Sequence, residues 1–471
     1  MKLSLIPAPY SIEYLGGFTK RNAETERVTD PSLPREAFCI HIEDTVTVKA
    51  SDDAGFYYAE NALEQIKFQC GMNLPNVHIE DTPKYEYRAF MIDCCRHFFD
   101  VDAIKQMISC CAKMRFNVFH WHLTDDQGWR PEIKKYPELL EIGSKRYGNH
   151  FGAEQNDDLH KGHFTHKQMS EIVAFAHEHH MKVVPEIDMP GHSSALLASI
   201  PRLACEGKKV EIKTTNGIFK DIICAGNEET YTVLFEILDE ICDIFPDEYI
   251  HLGGDEAPKG QWKSCPSCQK RIRDGHLADE EALQGYFINR IKSHLAEKGK
   301  KVITWNESLR SGNLDGDITV QMWLDPQKLS VKSPNKLIVS DFSHMYSDYP
   351  YAMTPLKKVY NYDTDINGNV IGTDIPIWTE YIDNTDYMEF MCFPRFIAAA
   401  QSAWCKNKPC YRQFRDDLTE LLPYFGIKNA AKPEEWDPCT LSRLPKVISH
   451  FGKINRNRNI RNLFLTEENR R

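Results

Sequence analysis

Residues 249–256 read Tyr-Ile-His-Leu-Gly-Gly-Asp-Glu. A short β-favouring run meets two glycines and then two carboxylates, with Pro258 and Gly260 close behind. This predicts a strand over Tyr249–Asp255 that stops in an acid-bearing loop. Upstream, Tyr231, Leu234, Phe235, Leu238, Ile241 and Phe245 recur at helical spacing, so a helix leads into the strand. The same alternation repeats outward in both directions. Further strands are expected at Phe90–Asp93, Val118–Asp125, Val183–Met189, Val302–Trp305, Ile318–Trp323, Leu337–Asp341 and Ile375–Glu380. Helical patterns such as Val101, Ile104, Met107, Ile108 and Cys111 lie between them. Strands alternating with helices imply parallel βαβ units, and eight such units imply an α/β fold closed as a (β/α)8 TIM barrel.

The barrel occupies residues 85–430 in this reading. Residues 1–84 are strand-like and turn-rich, with Phe56, Ala59, Leu63 and Ile66 marking one helix near Ala54–Phe68. They form a small N-terminal α+β domain. Arg202–Asp221 is charged and aperiodic and reads as a long loop. Residues 431–471 hold an Arg/Asn-rich stretch and read as a peripheral segment.

A chain of 471 residues buries a sizeable core without disulfide staples. The formal charge of −11 argues against nucleic acid or an anionic membrane as partner. No apolar run approaches the ~18 residues of a membrane-spanning helix. The opening MKLSLIPAPYSIEY is broken by Pro7 and Pro9 and lacks a small-x-small cleavage site, so it is not read as a secretory signal. Fifteen Cys is an odd count, with tandem pairs at Cys94-Cys95 and Cys110-Cys111. These read as small core residues in a reducing compartment, and the expected location is cytoplasmic. Cys265-Pro266-Ser267-Cys268 has a zinc-ligand spacing, but a site needs two more ligands and no second Cys-x-x-Cys exists. No metal and no cofactor are expected.

Barrel chemistry sits where strands end in βα loops. Those ends carry Asp93-Cys94-Cys95-Arg96-His97, His120-Trp121-His122-Leu123-Thr124-Asp125-Asp126, Pro185-Glu186-Ile187-Asp188, His192, Asp255-Glu256, Trp305-Asn306-Glu307, Trp323 and Trp378-Thr379-Glu380. Carboxylates bind hydroxyls and indoles cover apolar C–H faces, so the set suits a sugar. Asp255 and Glu256 are neighbours, and neighbours on a regular strand point to opposite faces. Both face a ligand only if the strand has ended. A retaining glycosidase of the ordinary kind needs two carboxyls about 5–5.5 Å apart across the bond, which adjacent residues span awkwardly. They suit a division of labour: one proton donor, and one residue orienting a nucleophile that belongs to the substrate.

These strings resemble glycoside hydrolase family 20, the β-N-acetylhexosaminidases. The resemblance is carried by HLGGDE, PEIDMPGH, FHWHLTDDQGWR, Tyr87-Arg88 before MIDCCRHFF, ICAGNEETY, Trp305-Asn306-Glu307, and IWTEYI followed by Phe393-Pro394-Arg395. The opening LIPAPYSIEYLGGF resembles that family's small N-terminal domain, and the likeness runs from Leu5 to about Trp404. It implies a retaining exo-glycosidase that removes terminal β-linked GlcNAc or GalNAc through an oxazolinium intermediate. By the resemblance Glu256 is the acid/base and Asp255 holds the acetamido group, while Tyr346 donates to the acetamido oxygen. Trp305, Trp323 and Trp378 wall the pocket, and Arg88, Asp125 and Glu380 grip sugar hydroxyls. Asp188 lies behind Glu256, and His192 stands close enough to reach substrate. Partners are N-acetylhexosamine-containing oligosaccharides or glycoconjugates, and a homodimer is in keeping with the family.

Each assignment has a plainer counterpart. An isolated Asp-Glu pair is usually a solvated surface feature, a lone Trp is usually core, and an Arg such as Arg88 is more often a structural ion pair. The chain also departs from the family pattern: Ala89 stands where Gly is usual, Asn306 replaces Asp, Gln401 replaces Glu, and Ala225 sits where Pro is common. Alternative readings are a same-family enzyme that releases a disaccharide, a catalytically silent sugar-binding barrel and a metal-dependent barrel hydrolase.

Overall fold

The computed structural model describes residues 2–151, 155–326, 333–366, 369–439 and 443–448. The first five strands make one sheet: β1 (Ser11–Lys20), β2 (Thr25–Thr29), β3 (Phe38–Ile42), β4 (Val46–Ala50) and β5 (Asn73–Asp81). They lie in the order β1-β5-β3-β4-β2, antiparallel except for the β2–β4 pair. Alternate residues Phe38, Ile40 and Ile42 of β3 and Val46, Val48 and Ala50 of β4 are buried. This is the period-two burial of a sheet with one covered face. The cover is the helix Asp53–Gln69, whose N-terminus is capped by the Asp52 carboxylate accepting from the Gly55 N–H.

The next eleven strands are β6 (Tyr87–Asp93), β7 (Val118–Asp125), β8 (Gly128–Trp129), β9 (Lys145–Asn149), β10 (Asn156–Lys161), β11 (Lys182–Ile187), β12 (Tyr249–His251), β13 (Lys301–Trp305), β14 (Thr319–Met322), β15 (Leu337–Val339) and β16 (Val370–Ile377). Eight of them run parallel in the cyclic order β6-β7-β11-β12-β13-β14-β15-β16, with β16 pairing back to β6. The barrel is closed, as the sequence implies. β6, β7 and β14 are buried at every position, as expected when helices cover a parallel sheet. β8 folds back on β7, and β9 and β10 form a separate hairpin over the rim.

Several strands differ in extent from the sequence expectation, and two of the differences matter to the site. β12 stops at His251, four residues before Asp255. Gly253 (φ 64°) and Gly254 (φ 93°) then turn the chain in the left-handed region. A Cβ on Gly253 would lie 1.7 Å from Asp188 Oδ1, and one on Gly254 would lie 2.5 Å from Ser308 Oγ, so both positions demand glycine. β16 stops at Ile377, releasing Trp378–Glu380 into a loop.

The N-terminal sheet is joined to the N-terminal ends of the barrel strands. Glu36 pairs with Arg88 at 2.8 Å and Asp81 pairs with Arg115 at 2.5 Å, all four buried. Trp404, at the end of the helix Arg395–Trp404, packs into the sheet domain's core and donates its indole N–H to Asp81 at 2.9 Å. Gln401 of the same helix accepts from the Ala8 N–H at 3.0 Å. The segment after residue 430 is less peripheral than its composition suggests. Ala431 and Trp436 are fully buried in the barrel's outer core, because a large apolar side chain here covers the helix layer. Residues 449–471, which carry the Arg/Asn-rich stretch, lie outside the described residues.

Candidate active site

At the C-terminal rim of the barrel, the chain after β12 carries Asp255 and Glu256 onto one side. Glu256 itself has φ 47°, so the backbone has left strand geometry and neighbouring side chains no longer diverge. Three contacts pin the turn. The Gly254 N–H donates to Asp188 Oδ1 at 3.1 Å, the Glu256 N–H donates to the Glu307 carboxylate, and Gln284 donates to the Gly254 carbonyl at 2.7 Å. Asp188 thus positions the acid-bearing loop from the end of β11.

His192 links the carboxylates. Its Nε2 lies 3.8 Å from Asp255 Oδ2 and 3.5 Å from Glu256 Oε2, and its Nδ1 lies 3.2 Å from Asp125 and 3.3 Å from Asp126. Burial disfavours the imidazolium, but Asp125 foremost, with Asp126 and Glu256, pushes its pKa well above the usual histidine range. Burial pushes the Asp255 carboxyl up to about 7, against the opposing charge of His192 and with the help of Glu256. Burial likewise pushes Asp188 up, and the Asp255 charge adds to the shift. Burial also opposes ionisation of Asp125, but Arg96 and His192 override it and hold this carboxyl far below the ordinary range.

The aromatic wall runs through Trp305, Trp378, Tyr346 and Trp323. Ring centres lie 6.0 Å apart for Trp305–Trp378, 6.1 Å for Tyr346–Trp378 and 6.3 Å for Trp323–Tyr346. Trp305 is buried at the end of β13 and donates its N–H to Glu186 at 2.7 Å. Glu186 also meets His120 and His251 at 3.1 Å each, and His122. This buried carboxylate fastens the wall to the barrel interior, and His120 and His122 belong to that support. Asn306 accepts from the Trp323 and Leu324 N–H groups at 3.1 and 3.3 Å, and donates to the Leu324 carbonyl at 2.9 Å. An aspartate could accept both bonds but could not make the third.

Arg88 does not join this group. It is the second residue of β6, at the opposite end of the barrel, and it is spent on Glu36, the Tyr85 and Arg115 carbonyls and the Tyr58 hydroxyl. The guanidinium at the rim is Arg96. It pairs with Asp125 at 2.6 Å and Asp93 at 3.3 Å, donates to the Gln127 side-chain oxygen at 3.0 Å and lies 4.9 Å over the Trp378 ring. Asp93 sets this corner by accepting from the Cys95 N–H at 2.7 Å and from the Thr379 N–H and hydroxyl at 3.1 and 3.0 Å. Glu380 stands beside Arg96, its carboxyl raised by burial against the Arg96 charge. The rule that barrel chemistry lies at strand C-termini would have chosen Arg96 over Arg88. Asp348 was also missed. Burial and the Glu380 charge push its carboxyl up to about 8.

The remaining expected residues, Asp125, Asp188, His192, Asp255, Glu256, Trp305, Trp323, Tyr346, Trp378 and Glu380, gather at the C-terminal rim of the barrel. Asp255 Oδ1 and the indole nitrogens of Trp323 and Trp378 are buried there with no hydrogen-bond partner among the described residues. Buried polar groups are rarely left so, and these three suit a polar ligand in an aromatic cage. A cavity of about 740 Å³ opens at the far end of the barrel near Tyr87, Tyr249 and Lys301. Its Lys182 and Lys301 are already paired with Glu248 at 2.9 and 2.6 Å.

The family model described as "Glycosyl hydrolase family 20, catalytic domain" matches residues 85–407. A β-hexosaminidase of Porphyromonas gingivalis is 38% identical over 354 residues, which are 71% of this chain and 45% of that protein. A β-hexosaminidase of Vibrio furnissii is 31% identical over 404 residues, 79% of this chain and 66% of that protein. The chain therefore spans less than two thirds of either relative. A solved β-N-acetylhexosaminidase from Bacteroides fragilis superposes with a TM-score of 0.80 at 30% identity, covering 90% of this chain and 95% of that one. Among the described residues no helix is long and apolar enough to cross a membrane.

Proposed function

The chain belongs to glycosyl hydrolase family 20, and from that premise we propose that it is a retaining exo-β-N-acetylhexosaminidase. It removes non-reducing terminal β-linked GlcNAc or GalNAc, and the nucleophile is the substrate's own acetamide. The observation that carries this reading is the placement of Asp255 and Glu256. Consecutive residues share one imidazole, and the deeper of the two keeps a buried, unpartnered oxygen beside the Tyr346–Trp378 wall.

In this mechanism the acetamide sits in the cage of Trp305, Trp323 and Trp378. Its N–H donates to Asp255 and its carbonyl oxygen accepts from the Tyr346 hydroxyl. Arg96, Asp125 and Glu380 hold hydroxyls of the terminal sugar. The Glu256 carboxyl gives its proton to the glycosidic oxygen as the acetamide carbonyl oxygen bonds to the anomeric carbon and the aglycone leaves. The positive charge of the resulting oxazolinium lies against the Asp255 carboxylate in a desolvated pocket, where such stabilisation is large. Water then attacks the anomeric carbon, the Glu256 carboxylate takes its proton, and the acetamide is restored with net retention. The relatives' names, both β-hexosaminidases, agree with this. Turnover of an aryl β-N-acetylglucosaminide beside the matched aryl glucoside tests it. The first should be hydrolysed and the second nearly inert; comparable rates on both would rule out participation by the acetamide. The buried thiols support residence in a reducing compartment as part of the same proposal.

A further inference from the structure

Four cysteines that are far apart in sequence meet at one buried point outside the active site. Cys205 opens a short turn, Cys205–Gly207, beyond β11. Cys224 closes the long loop that follows it. Cys265 and Cys268 sit at the start of the helix Pro266–Asp274, beyond β12. All four are free and buried. Sγ–Sγ distances are 3.9 Å for Cys205–Cys268 and 3.7 Å each for Cys224–Cys265 and Cys224–Cys268. All four sulfurs lie within 4.8 Å of one another.

These separations are far from the ~2.05 Å of a disulfide. They match a mononuclear metal centre. A tetrahedral ion with metal–sulfur bonds of about 2.3 Å holds its four sulfurs about 3.8 Å apart. The surrounding backbone is shaped for such closeness. A Cβ on Gly226, two residues past Cys224, would lie 2.2 Å from the Ser267 carbonyl carbon and 2.3 Å from the Cys268 nitrogen. The loop is therefore pressed against the ligand-bearing turn.

We propose that Cys205, Cys224, Cys265 and Cys268 bind one structural zinc ion that staples the 205–224 loop to the helix Pro266–Asp274. Four thiolates fill a tetrahedral zinc and leave no position for substrate, so the ion holds structure and does not take part in the reaction. What it holds is a loop that reaches the catalytic rim. Ile223 accepts from the Trp262 indole at 2.9 Å, Lys213 donates to the Asp126 carbonyl at 3.0 Å, Thr215 accepts from Gln127 at 2.9 Å, and Asn216 donates to Tyr381 at 2.9 Å. Asp126 and Gln127 in turn touch His192 and Arg96. The spacing of 18 residues between the first two cysteines and 40 between the middle pair follows from loop closure across two βα units.

The test uses the full chain, purified under reducing conditions without chelator or a metal-affinity step. Elemental analysis by mass spectrometry should find about one zinc per chain. Release by an organomercurial should free zinc in step with four thiols. Metal-free protein refilled with cobalt(II) should show the intense visible bands and near-ultraviolet thiolate charge transfer of a tetrahedral four-sulfur site. Cys265→Ser/Cys268→Ser should lose both the zinc and the cobalt spectrum, with a lower melting temperature. If that variant does not fold, the cobalt spectrum and the zinc-to-thiol ratio of the unaltered chain still decide. Stoichiometric iron, disulfides Cys205–Cys268 and Cys224–Cys265 in non-reduced peptide maps, or failure of the reduced apoprotein to take up zinc would each overturn the assignment.

Discussion

His192 Nε2 stands 3.8 Å from Asp255 and 3.5 Å from Glu256, while its Nδ1 is held by Asp125 and Asp126 at 3.2 and 3.3 Å. One imidazole thus couples the two carboxylates proposed to carry the reaction to the acids at the end of β7. Changes at any of these groups are felt by the others, which makes the pH behaviour of the site a sharp probe.

The free enzyme's kcat/KM should have an acidic limb near neutrality, not near the ordinary aspartate value of about 3.9. Asp255 must be ionised to accept the acetamide N–H, and burial pushes its carboxyl up to about 7. Activity should therefore fall as pH drops through that region. His192→Gln removes the positive charge that lowers this value, so its limb should move to higher pH. A limb that stays put in the variant would show that Asp255 is not the titrating group.

Asp255→Asn should lower kcat on the order of 10²-fold or more, with a smaller change in KM, because the lost charge acts mainly on the transition state. The same variant should melt at a higher temperature than the parent above pH 7. The sign follows from a folded-state pKa raised above the unfolded one: stability from protonated Asp255 is fully present below about pH 4 and is lost as pH rises through about 7. Asparagine avoids that loss, so the two melting curves should converge near pH 4. Mass spectrometry after a 2-fluoro glycoside should find no sugar ester on Asp255, and a thiazoline mimic of the cyclic intermediate should inhibit tightly.

Glu256→Gln should cost roughly 10²–10⁴-fold on natural oligosaccharides, the usual contribution of a general acid. The loss should be much smaller on aryl glycosides whose leaving group departs without a proton. Equal losses on both substrates in a folded variant would remove Glu256 from the acid role.

Arg96 and Arg88 separate function from stability. Arg96→Ala should depress kcat/KM by weakening the grip on sugar hydroxyls. Arg88→Ala should leave KM unchanged but destabilise the fold by about 3–5 kcal/mol, since Glu36 would remain buried without its partner. Denaturant titration beside steady-state kinetics distinguishes the two, and a raised KM in folded Arg88→Ala would contradict the structure's placement of that residue.

The barrel is legible in the sequence because its signal is repeated: eight short runs with helical patterns between them leave little room for another closure. Residues at strand ends are legible for the same reason, since the fold says where those ends point. Arg88 and Arg96 show where this stops. Both lie in one quoted motif, yet Arg88 is the second residue of β6 while Arg96 lies three residues beyond its other end. A resemblance read without register does not tell them apart. The Gly253-Gly254 turn is legible as a stop but not in its placement, because the contacts with Asp188, Thr304 and Ser308 that demand glycine come from other segments of the barrel. The four-cysteine cluster is the limiting case. Only Cys265 and Cys268 have a local spacing, and the other two arrive by tertiary closure.

Trp404 has a consequence for how the protein is made. The N-terminal sheet, complete in sequence by Asp81, finishes its core only when this indole arrives from the end of the barrel. At roughly 5–20 residues per second, about 320 further residues take on the order of 15–65 s to emerge from a ribosome. Throughout that interval the sheet has an open slot, and Asp81 lacks both Trp404 and, at first, Arg115. Synthesis is therefore expected to proceed with its first-made part waiting on its last, so that nascent chains arrested before residue 404 remain protease-sensitive at the amino end and those arrested well beyond it do not.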